Sequence, residues 1–410
     1  MTNRKDNDNF LLCLIGLFLV SVTKNFYLIP LPFFFSNEAS NVSFPSFVAI
    51  IIFLIFLVKY QKIKLGEYGK AIGMLFLILI FNAFYMINAY HLNWISAFGA
   101  QFFYLMFLAY FPIIYYLRDK KRFYKFCVLI ESISLILCIV LLCQNIVFKI
   151  NGYEFLQIAA LIGPNGRIYS VSEGLIRISV LVSAYKLFNS QLKAPQKKIS
   201  FLNLISGILS IILIDQSRIY LISVIISILT ILVVNQKNKM NIVKILFYFL
   251  LAVGLIYLFY IVFKSILATV NDSSNGSNYA RKDAIEYYIP LIKEHFWTGI
   301  GNIVPDPSST LFTYLKGPLG IYNYDDIGIF GIFVTLGIFG FLWYLWIIVK
   351  SFRIAKKRTD IKALLYGLWV ELILSIFTMS YLDYGRIISL VLFLSFMSFD
   401  GELKNKAKSI

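Results

Sequence analysis

Five arginines stand apart from the lysine-rich runs of this 410-residue chain: Arg167, Arg177, Arg218, Arg281 and Arg386. Arginine stays charged at every physiological pH and presents a planar fork of donors that matches phosphate oxygens. The surrounding sequence is strongly apolar, and placing an arginine in or near a bilayer costs about 2.5–3.5 kcal/mol even on lenient scales. We therefore expect each of these side chains to have a partner or a ligand, and we expect them to converge on one cavity.

Carboxylates and a histidine accompany these arginines. Glu173 precedes Arg177 by four residues, so both side chains occupy one face of a helix. Asp325 and Asp326 directly precede an apolar block, where acidic residues satisfy the free N–H groups and the dipole of a helix. A carboxylate pair there would equally suit a base or a ligand for sugar hydroxyls. His295 could accept the proton of a hydroxyl, although a single loop histidine is more often incidental.

Two arginines have a structural explanation beside the functional one. Arg177 either forms an ion pair that locks two helices together or contacts a phosphate or sugar hydroxyl in a wet cavity. The two roles are compatible, because an ion pair can also orient a ligand group. Arg386 follows Asp383 by three residues, which predicts a pair at the membrane interface that fixes the position of the arginine.

Arg218 and Arg281 lie at predicted helix starts. Arg218 follows Asp215 by three residues, so a surface ion pair is the alternative to a catalytic role. Arg281 opens an amphipathic stretch, 281–290, where a solvated helix start is the alternative. Tyrosines concentrate in the same polar segment and either pack it or stack on sugar rings: Tyr279, Tyr287, Tyr288, Tyr322 and Tyr324.

The chain that must position these side chains has the composition of a membrane protein. It is 59% hydrophobic and 14% charged, with a mean hydropathy of +0.78, against roughly 45–50% and about 25% for soluble domains. Its apolar blocks are long and do not alternate, which predicts helices. The formal charge of +17 sits in short runs between the blocks, which indicates membrane orientation and not nucleic-acid binding. All four cysteines lie inside apolar blocks, so we expect no disulfide and no metal site.

The order of the blocks predicts an all-α polytopic integral membrane protein with about twelve transmembrane helices. Alternating the blocks across the membrane puts the lysine-rich runs on one side, which predicts that both termini are cytoplasmic. The chain is then a single transmembrane domain, 1–410, with one long outward-facing loop, 264–326, between the ninth and tenth helices. The apolar blocks are 10–30, 44–58, 71–90, 95–117, 126–148, 174–188, 201–214, 219–234, 242–263, 327–349, 363–381 and 387–399.

Four segments follow one another on the predicted outer face. They are Arg167-Ile-Tyr-Ser-Val-Ser-Glu-Gly174, Ser217-Arg218 before an apolar run, Arg281 with Trp297-Thr-Gly-Ile-Gly301, and Asp326-Ile-Gly-Ile-Phe-Gly331 with Leu336-Gly-Ile-Phe-Gly340. In this order they resemble the bacterial O-antigen and capsular repeat-unit polymerases, which are related to the O-antigen ligases. Gly174 stands where that family usually has proline. The resemblance covers about residues 160–345, and the N-terminal blocks match only in layout.

The resemblance implies a metal-independent glycosyltransferase of the inner (cytoplasmic) membrane that needs no cofactor. It would transfer a growing O-antigen or capsular/exopolysaccharide chain from undecaprenyl pyrophosphate to a new lipid-linked repeat unit on the outer face. Its partners would be these two lipid-pyrophosphate-linked oligosaccharides and membrane lipids, together with a flippase and a chain-length regulator of the pathway. We expect catalytic roles for Arg167, Arg218, Arg281, Asp326 and His295, and substrate binding by Glu173, Arg177, Tyr324, Asp325 and Arg386.

Other classes of membrane protein fit the sequence less well. A lipid-linked oligosaccharide flippase would also place cations in a cavity, but it does not need a loop as long as 264–326 and usually shows two related halves. A glycosyltransferase using lipid-phosphate sugars would usually carry acidic residues in its first outer loop, which offers only Glu38. An acyltransferase would want a histidine at an inner or midplane site, and His91 is the only candidate outside the long loop. A ligase that moves glycan to lipid A or to protein stays open beside the polymerase.

Overall fold

The computed structural model describes residues 2–35, 43–61, 65–156, 168, 172–189, 194–235, 276–303, 310–317, 320, 322–376 and 379–399. The ninth apolar block, 242–263, and the first part of the long loop lie outside these ranges. The secondary-structure elements of these ranges are α-helices, short 3-10 helices and a π turn. The described part of the chain is therefore all-helical, as predicted.

The α-helices of the described ranges are numbered here in chain order. They are α1 (Thr2–Val22), α2 (Phe44–Tyr60), α3 (Gly69–Tyr90), α4 (Trp94–Gly99), α5 (Tyr110–Tyr116), α6 (Lys120–Asn151), α7 (Glu173–Phe188), α8 (Ala194–Ser210), α9 (Arg218–Asn235), α10 (Gly276–Glu294), α11 (Thr310–Lys316), α12 (Ile329–Lys357), α13 (Lys362–Ser375) and α14 (Ile387–Met397). A 3-10 helix, Phe102–Ala109, leads into α5, and a π turn, Ile211–Asp215, extends α8.

Four helical segments of the described chain are long and apolar enough to cross a bilayer: Gly69–Tyr90, Lys120–Asn151, Lys197–Asp215 and Ile329–Lys357. A helix rises 1.5 Å per residue, so about 20 residues cover the hydrocarbon core. Shorter apolar helices lie at 7–22, 44–60, 102–116, 219–235 and 387–397. These helices indicate an integral membrane protein, while the full set of about twelve spans and the direction of each loop stay predictions.

Two predicted blocks are interrupted. The first helix ends at Val22 and not near residue 30, because residues 24–27 all take positive φ values of 49–60°. The fourth block is divided into α4, the 3-10 helix 102–109 and α5. Asn93 accepts the N–H of Ser96 at 2.7 Å and so starts α4 separately. Pro112, which has no N–H to donate, lies in the first turn of α5.

α7 and α14 form the centre of the bundle. Every residue of α7 from 174 to 186 is buried, and the helix packs against α6, α8, α9, α13 and α14. Every residue of α14 is buried as well. The two helices meet at Gly174, where an added Cβ would lie 2.0 Å from the Ser389 Oγ atom. Glycine at this position therefore permits the contact, and polar side chains on α7 face protein instead of lipid.

α12 is broken at Gly337, whose φ of 63° and ψ of −162° are not helical. The break leaves backbone groups without helical partners, and the segment that follows α10 supplies new ones. Three backbone hydrogen bonds join the two: Ile300 N–H to the Val334 carbonyl (2.7 Å), Gly301 N–H to the Thr335 carbonyl (3.1 Å) and Ile338 N–H to the Phe296 carbonyl (2.9 Å). Gly299 and Gly301 take positive φ values of 68° and 93°, and the segment that contains them docks the long loop onto the broken helix.

Candidate functional site

Arginines and carboxylates from separate elements meet at one end of the bundle. The members of this arginine–carboxylate cluster are Glu173 and Arg177 of α7, Asp325 and Asp326 of the 3-10 turn Tyr324–Asp326, Glu371 of α13, and Asp383 and Arg386 just before α14. They lie together because α7, α13 and α14 pack against one another and α12 begins directly after the 3-10 turn. The basic-run pattern predicts that this end of the bundle faces outwards.

Arg386 is the centre of the cluster. Its Nε atom donates to Glu173 Oε1 at 2.8 Å, and its Nη1 atom pairs with the Asp383 carboxylate. Nη1 also donates to the Asp325 backbone carbonyl at 3.3 Å, and Nη2 lies 3.9 Å from Asp326 Oδ1. The predicted Arg386–Asp383 pair is therefore present, and the same guanidinium joins the start of α14 to α7 and to the end of the long loop.

Arg177 lies deeper in the bundle, and its ion-pair partner is Glu371 and not Glu173. Its Nη1 atom donates to Glu371 Oε1 at 2.7 Å and to the Tyr381 hydroxyl at 3.1 Å. Its guanidinium carbon stacks 3.8 Å from the centre of the Tyr220 ring. With 1% and 3% of their side chains exposed, Arg177 and Glu371 form the predicted ion pair that locks two helices, here α7 and α13.

Tyr220 connects the two arginines. Its ring covers Arg177, and its hydroxyl donates to Glu173 Oε1 at 2.7 Å, the atom that also accepts from Arg386. Two nitrogens of Arg177, Nε and Nη2, are buried and have no hydrogen-bond partner in the described part of the chain. Both arginines and Glu173 thus belong to one continuous contact network.

Carboxylates outnumber arginines in this network, whereas a site for an anion would need an excess of positive charge. The described cluster holds two arginines, Arg177 and Arg386, against five carboxylates. Burial raises the pKa of Asp325 to about 6, with Arg386 acting in the opposite sense and Asp326 in the same sense. Burial likewise raises the pKa of Asp383 to about 7, against the lowering effect of Arg386. The described cluster is therefore acidic, and positive charge for a phosphate has to come from other residues.

The paired aspartates do not cap α12. Its N-cap position is Gly328, with no side-chain cap bond. The Asp326 carboxylate instead accepts from Asn323 Nδ2 at 3.3 Å and faces Arg386 with 40% of its side chain exposed. Asp325 turns into the neighbouring cleft. The helix-capping explanation is thus replaced by an orientation toward Arg386 and the cleft.

A cleft that is partly open to solvent lies beside the cluster. Carboxylates, aromatic rings and neutral hydrogen-bonding groups line it together, which is a combination suited to sugar hydroxyls and ring faces. Its lining includes Phe103, Asn302, Tyr324, Asp325, Ser380, Asp383 and Tyr384.

His295 does not join the cluster. Its Nδ1 atom is 2.5 Å from the Tyr85 hydroxyl, and its Nε2 atom bonds the Tyr314 hydroxyl. Both ring nitrogens are therefore occupied by tyrosines that link α3, α10 and α11. This placement gives His295 a role in holding the long loop to the bundle.

Of the remaining three predicted arginines, the structure describes the side chain of Arg281 alone. Arg281 is half-buried near the start of α10 and has no ion-pair partner among the described residues. It shares a helix face with the buried residues Ala284 and Tyr288. Burial raises the pKa of Tyr288, and Tyr287 and then Asp325 raise it further, so the charge of Asp325 acts on this face of α10. Arg218 begins α9, but its side chain, like the whole of Arg167, lies outside the described residues.

Sequence reasoning missed three members of the network, and it missed the second role of Asp383. Glu371 carried a usable signal, because a carboxylate inside an apolar block requires a buried cation. Asp383 was expected only as the partner of Arg386, and not as a residue lining a cleft. Tyr220 and Tyr381 gave no signal, since nothing in sequence distinguishes them among 27 tyrosines.

Residues 203–345 match the family model described as O-antigen ligase. A search of curated proteins finds no match. The matched segment covers about a third of the chain and includes Ser217-Arg218, Arg281, Gly299-Ile-Gly301 and the break at Gly337. It confirms the resemblance to an O-antigen polymerase/ligase-like family, and it supports glycan transfer of that general kind at a membrane. Arg177, Asp383 and Arg386 lie outside the match, so the cluster joins the matched segment to the rest of the bundle.

Proposed function

We propose that this protein polymerises lipid-pyrophosphate-linked oligosaccharide repeat units into O-antigen or capsular/exopolysaccharide on the outer face of the cytoplasmic membrane. The growing glycan would move from its undecaprenyl pyrophosphate carrier to a hydroxyl of a new lipid-linked repeat unit. The observation that carries the proposal is the O-antigen ligase match, whose loop segment docks beside the cleft and the arginine–carboxylate cluster.

Within this proposal, the arginines divide into two groups. Arg177 and Arg386 are positioning residues, because their charges are compensated by Glu371 and by Glu173 with Asp383. Arg167, Arg218 and Arg281 are proposed to hold the departing lipid diphosphate, where guanidinium groups stabilise developing negative charge. The reaction needs no metal, and membrane lipids, a flippase and a chain-length regulator are its proposed partners.

The first experiment is deletion of the gene followed by sizing of the cell-surface glycan. Loss of a polymerase leaves single repeat units without a ladder. Loss of a ligase leaves polymer on its lipid carrier, and loss of a flippase leaves no repeat unit at the surface. Either of these last two results would contradict polymerisation.

Complementation of that deletion then tests the phosphate-binding arginines. We expect Arg281→Ala to lower ladder formation by about 10²-fold or more, as removal of one charge-stabilising donor typically does. Lys282→Ala is the matched control, since its side chain is 75% exposed and, among the described residues, pairs with Glu286 at 3.8 Å. Equal ladders from both variants, at equal amounts of membrane protein, would remove Arg281 from the site.

A further inference from the structure

The carboxylates of the cluster differ in whether they are already engaged. Glu173 accepts from Arg386 and Tyr220, and Glu371 accepts from Arg177. Each has at least one strong donor, so neither is free to receive a proton from a substrate without losing a structural contact.

The three aspartates near the cleft also differ in whether their carboxylates already have a partner. Asp383 pairs with Arg386, and its side chain is only 5% exposed. Asp326 accepts from Asn323 and faces Arg386. The Asp325 carboxylate accepts no hydrogen bond from any residue within the described ranges, although its backbone carbonyl is held by Arg386. It lines the cleft, so its backbone is fixed while its carboxylate is available.

We infer that Asp325 is the general base that accepts the proton of the acceptor hydroxyl, and that Arg386 is the positioning residue that fixes it. This inference rests on the proposed function and names one residue where the sequence left His295 and two aspartates open. His295 is excluded from the role by its two tyrosine partners, Tyr85 and Tyr314.

The step balances without any further reactant. The acceptor hydroxyl gives its proton to an Asp325 carboxylate oxygen while its own oxygen forms a bond to the anomeric carbon of the donor. The bond from that carbon to the diphosphate oxygen breaks, and its electron pair leaves with the lipid diphosphate. Asp325 then releases the proton to water through the open side of the cleft.

The cleft also accounts for how the acceptor sugar is held. Asn302, Ser380 and Tyr384 line it beside Asp325 and supply neutral donors and acceptors for sugar hydroxyls. Phe103 and Tyr324 supply ring surfaces on the same cleft. A sugar bound there presents a hydroxyl to Asp325, whose carboxylate accepts no hydrogen bond within the described part of the chain, which is the geometry that a base requires.

The protonation state of Asp325 gives the inference a pH signature. Burial raises its pKa to about 6, so the basic form is lost as pH falls through that value. The charged and titratable groups that face it are Arg386, Asp326, Lys316, Asp383, Tyr104, Tyr288, Tyr324 and Tyr384. Because Asp325 and Asp383 interact, the activity should follow an apparent pKa of the pair.

The test uses the full-length protein in nanodiscs with lipid-pyrophosphate-linked repeat units extracted from cells that lack this gene. Transfer is measured as glycan lengthening between pH 5 and 8, and binding of the same probe is measured separately. We expect the wild-type rate to fall on acidification through about pH 6. Asp325→Asn should lower transfer about 10²-fold or more at every pH, with probe binding changed less than about twofold.

Asp325→Glu is a second variant, and it keeps a carboxylate at this position. It should retain measurable transfer, and the fall of its transfer rate at acidic pH should occur at a different pH from that of the wild-type protein. Asp283→Asn, the same change on the partly exposed α10 of the same loop, should behave as wild type. If the wild-type protein and Asp325→Asn lengthen the probe equally, the assignment of Asp325 as the base is overturned and the proposed function is not. If wild-type protein does not lengthen the probe, the proposed function falls as well.

Discussion

Gly337→Ala should detach the long loop from α12 without removing the protein from the membrane. Its backbone conformation, φ 63° and ψ −162°, is essentially confined to glycine, and imposing it on alanine costs about 1–3 kcal/mol. An added Cβ would lie 2.3 Å from the Trp297 carbonyl oxygen and 2.6 Å from the Gly299 nitrogen. Both are backbone atoms, so the loop segment itself has to move.

That movement removes the hydrogen bonds that dock the loop. Three backbone bonds join segment 296–301 to the break in α12, and each contributes about 0.5–1.5 kcal/mol. Together with the strain at Gly337, the change amounts to about 2.5–7.5 kcal/mol. Because Asp325 and the cleft lie beyond this junction, we expect transfer to fall together with loop docking.

The assay is limited proteolysis of α10 and the segment after it, combined with thermal unfolding in detergent and glycan lengthening. Gly73→Ala is the matched control, since an added Cβ there meets nothing within 4 Å on the spanning helix α3. If α12 were continuous, alanine at 337 would stabilise the helix by about 0.5–1 kcal/mol. A raised melting temperature, with unchanged cleavage, would therefore refute the broken helix.

Two further predictions concern residues that hold the site together. Arg177→Ala should lower the amount of folded protein, because an unpaired buried Glu371 costs about 3–5 kcal/mol. The double change Arg177→Met with Glu371→Leu should restore the stability measured by thermal unfolding. A double variant as unstable as Arg177→Ala would show that the stability does not depend on this ion pair. His295→Ala should lower the stability of the docked loop by about 1–3 kcal/mol through loss of its bonds to Tyr85 and Tyr314, yet it should keep the acid limb of the pH–rate profile, and loss of that limb would identify the histidine as the base.

Local sequence was sufficient for some contacts of the site and insufficient for others. The Arg386–Asp383 pair spans three residues, and its spacing predicted it. The true partner of Arg177 is 194 residues away on α13, and helical spacing toward Glu173 could not reveal it. Likewise, the break in α12 at Gly337 depends on a contact with the Trp297–Gly299 backbone, which lies about forty residues earlier in the chain and which local sequence could not reveal.

The charge balance of the cluster limits where the lipid diphosphate can bind. Unit charges about 4 Å apart interact by about 4 kcal/mol at an effective dielectric constant of 20. A diphosphate placed beside Arg386 would meet Glu173 and Asp383 at similar distances, and their repulsion would offset the attraction of the arginine. The diphosphate is therefore better held on another side of the cleft, by an arginine whose charge is not compensated.

Arg281 meets that condition, since it has no ion-pair partner among the described residues and shares a face of α10 with Tyr288, whose pKa Asp325 helps to raise. We infer that the diphosphate lies toward α10 and the acceptor hydroxyl toward Asp325. This separation also serves the chemistry, because the attacking oxygen and the departing oxygen must stand on opposite sides of the anomeric carbon for a direct displacement. A base placed next to the diphosphate-binding arginines would have its pKa lowered and its proton affinity reduced. An acidic cluster on one side and, within the described part of the chain, an uncompensated Arg281 on the other side thus follow from the same requirement.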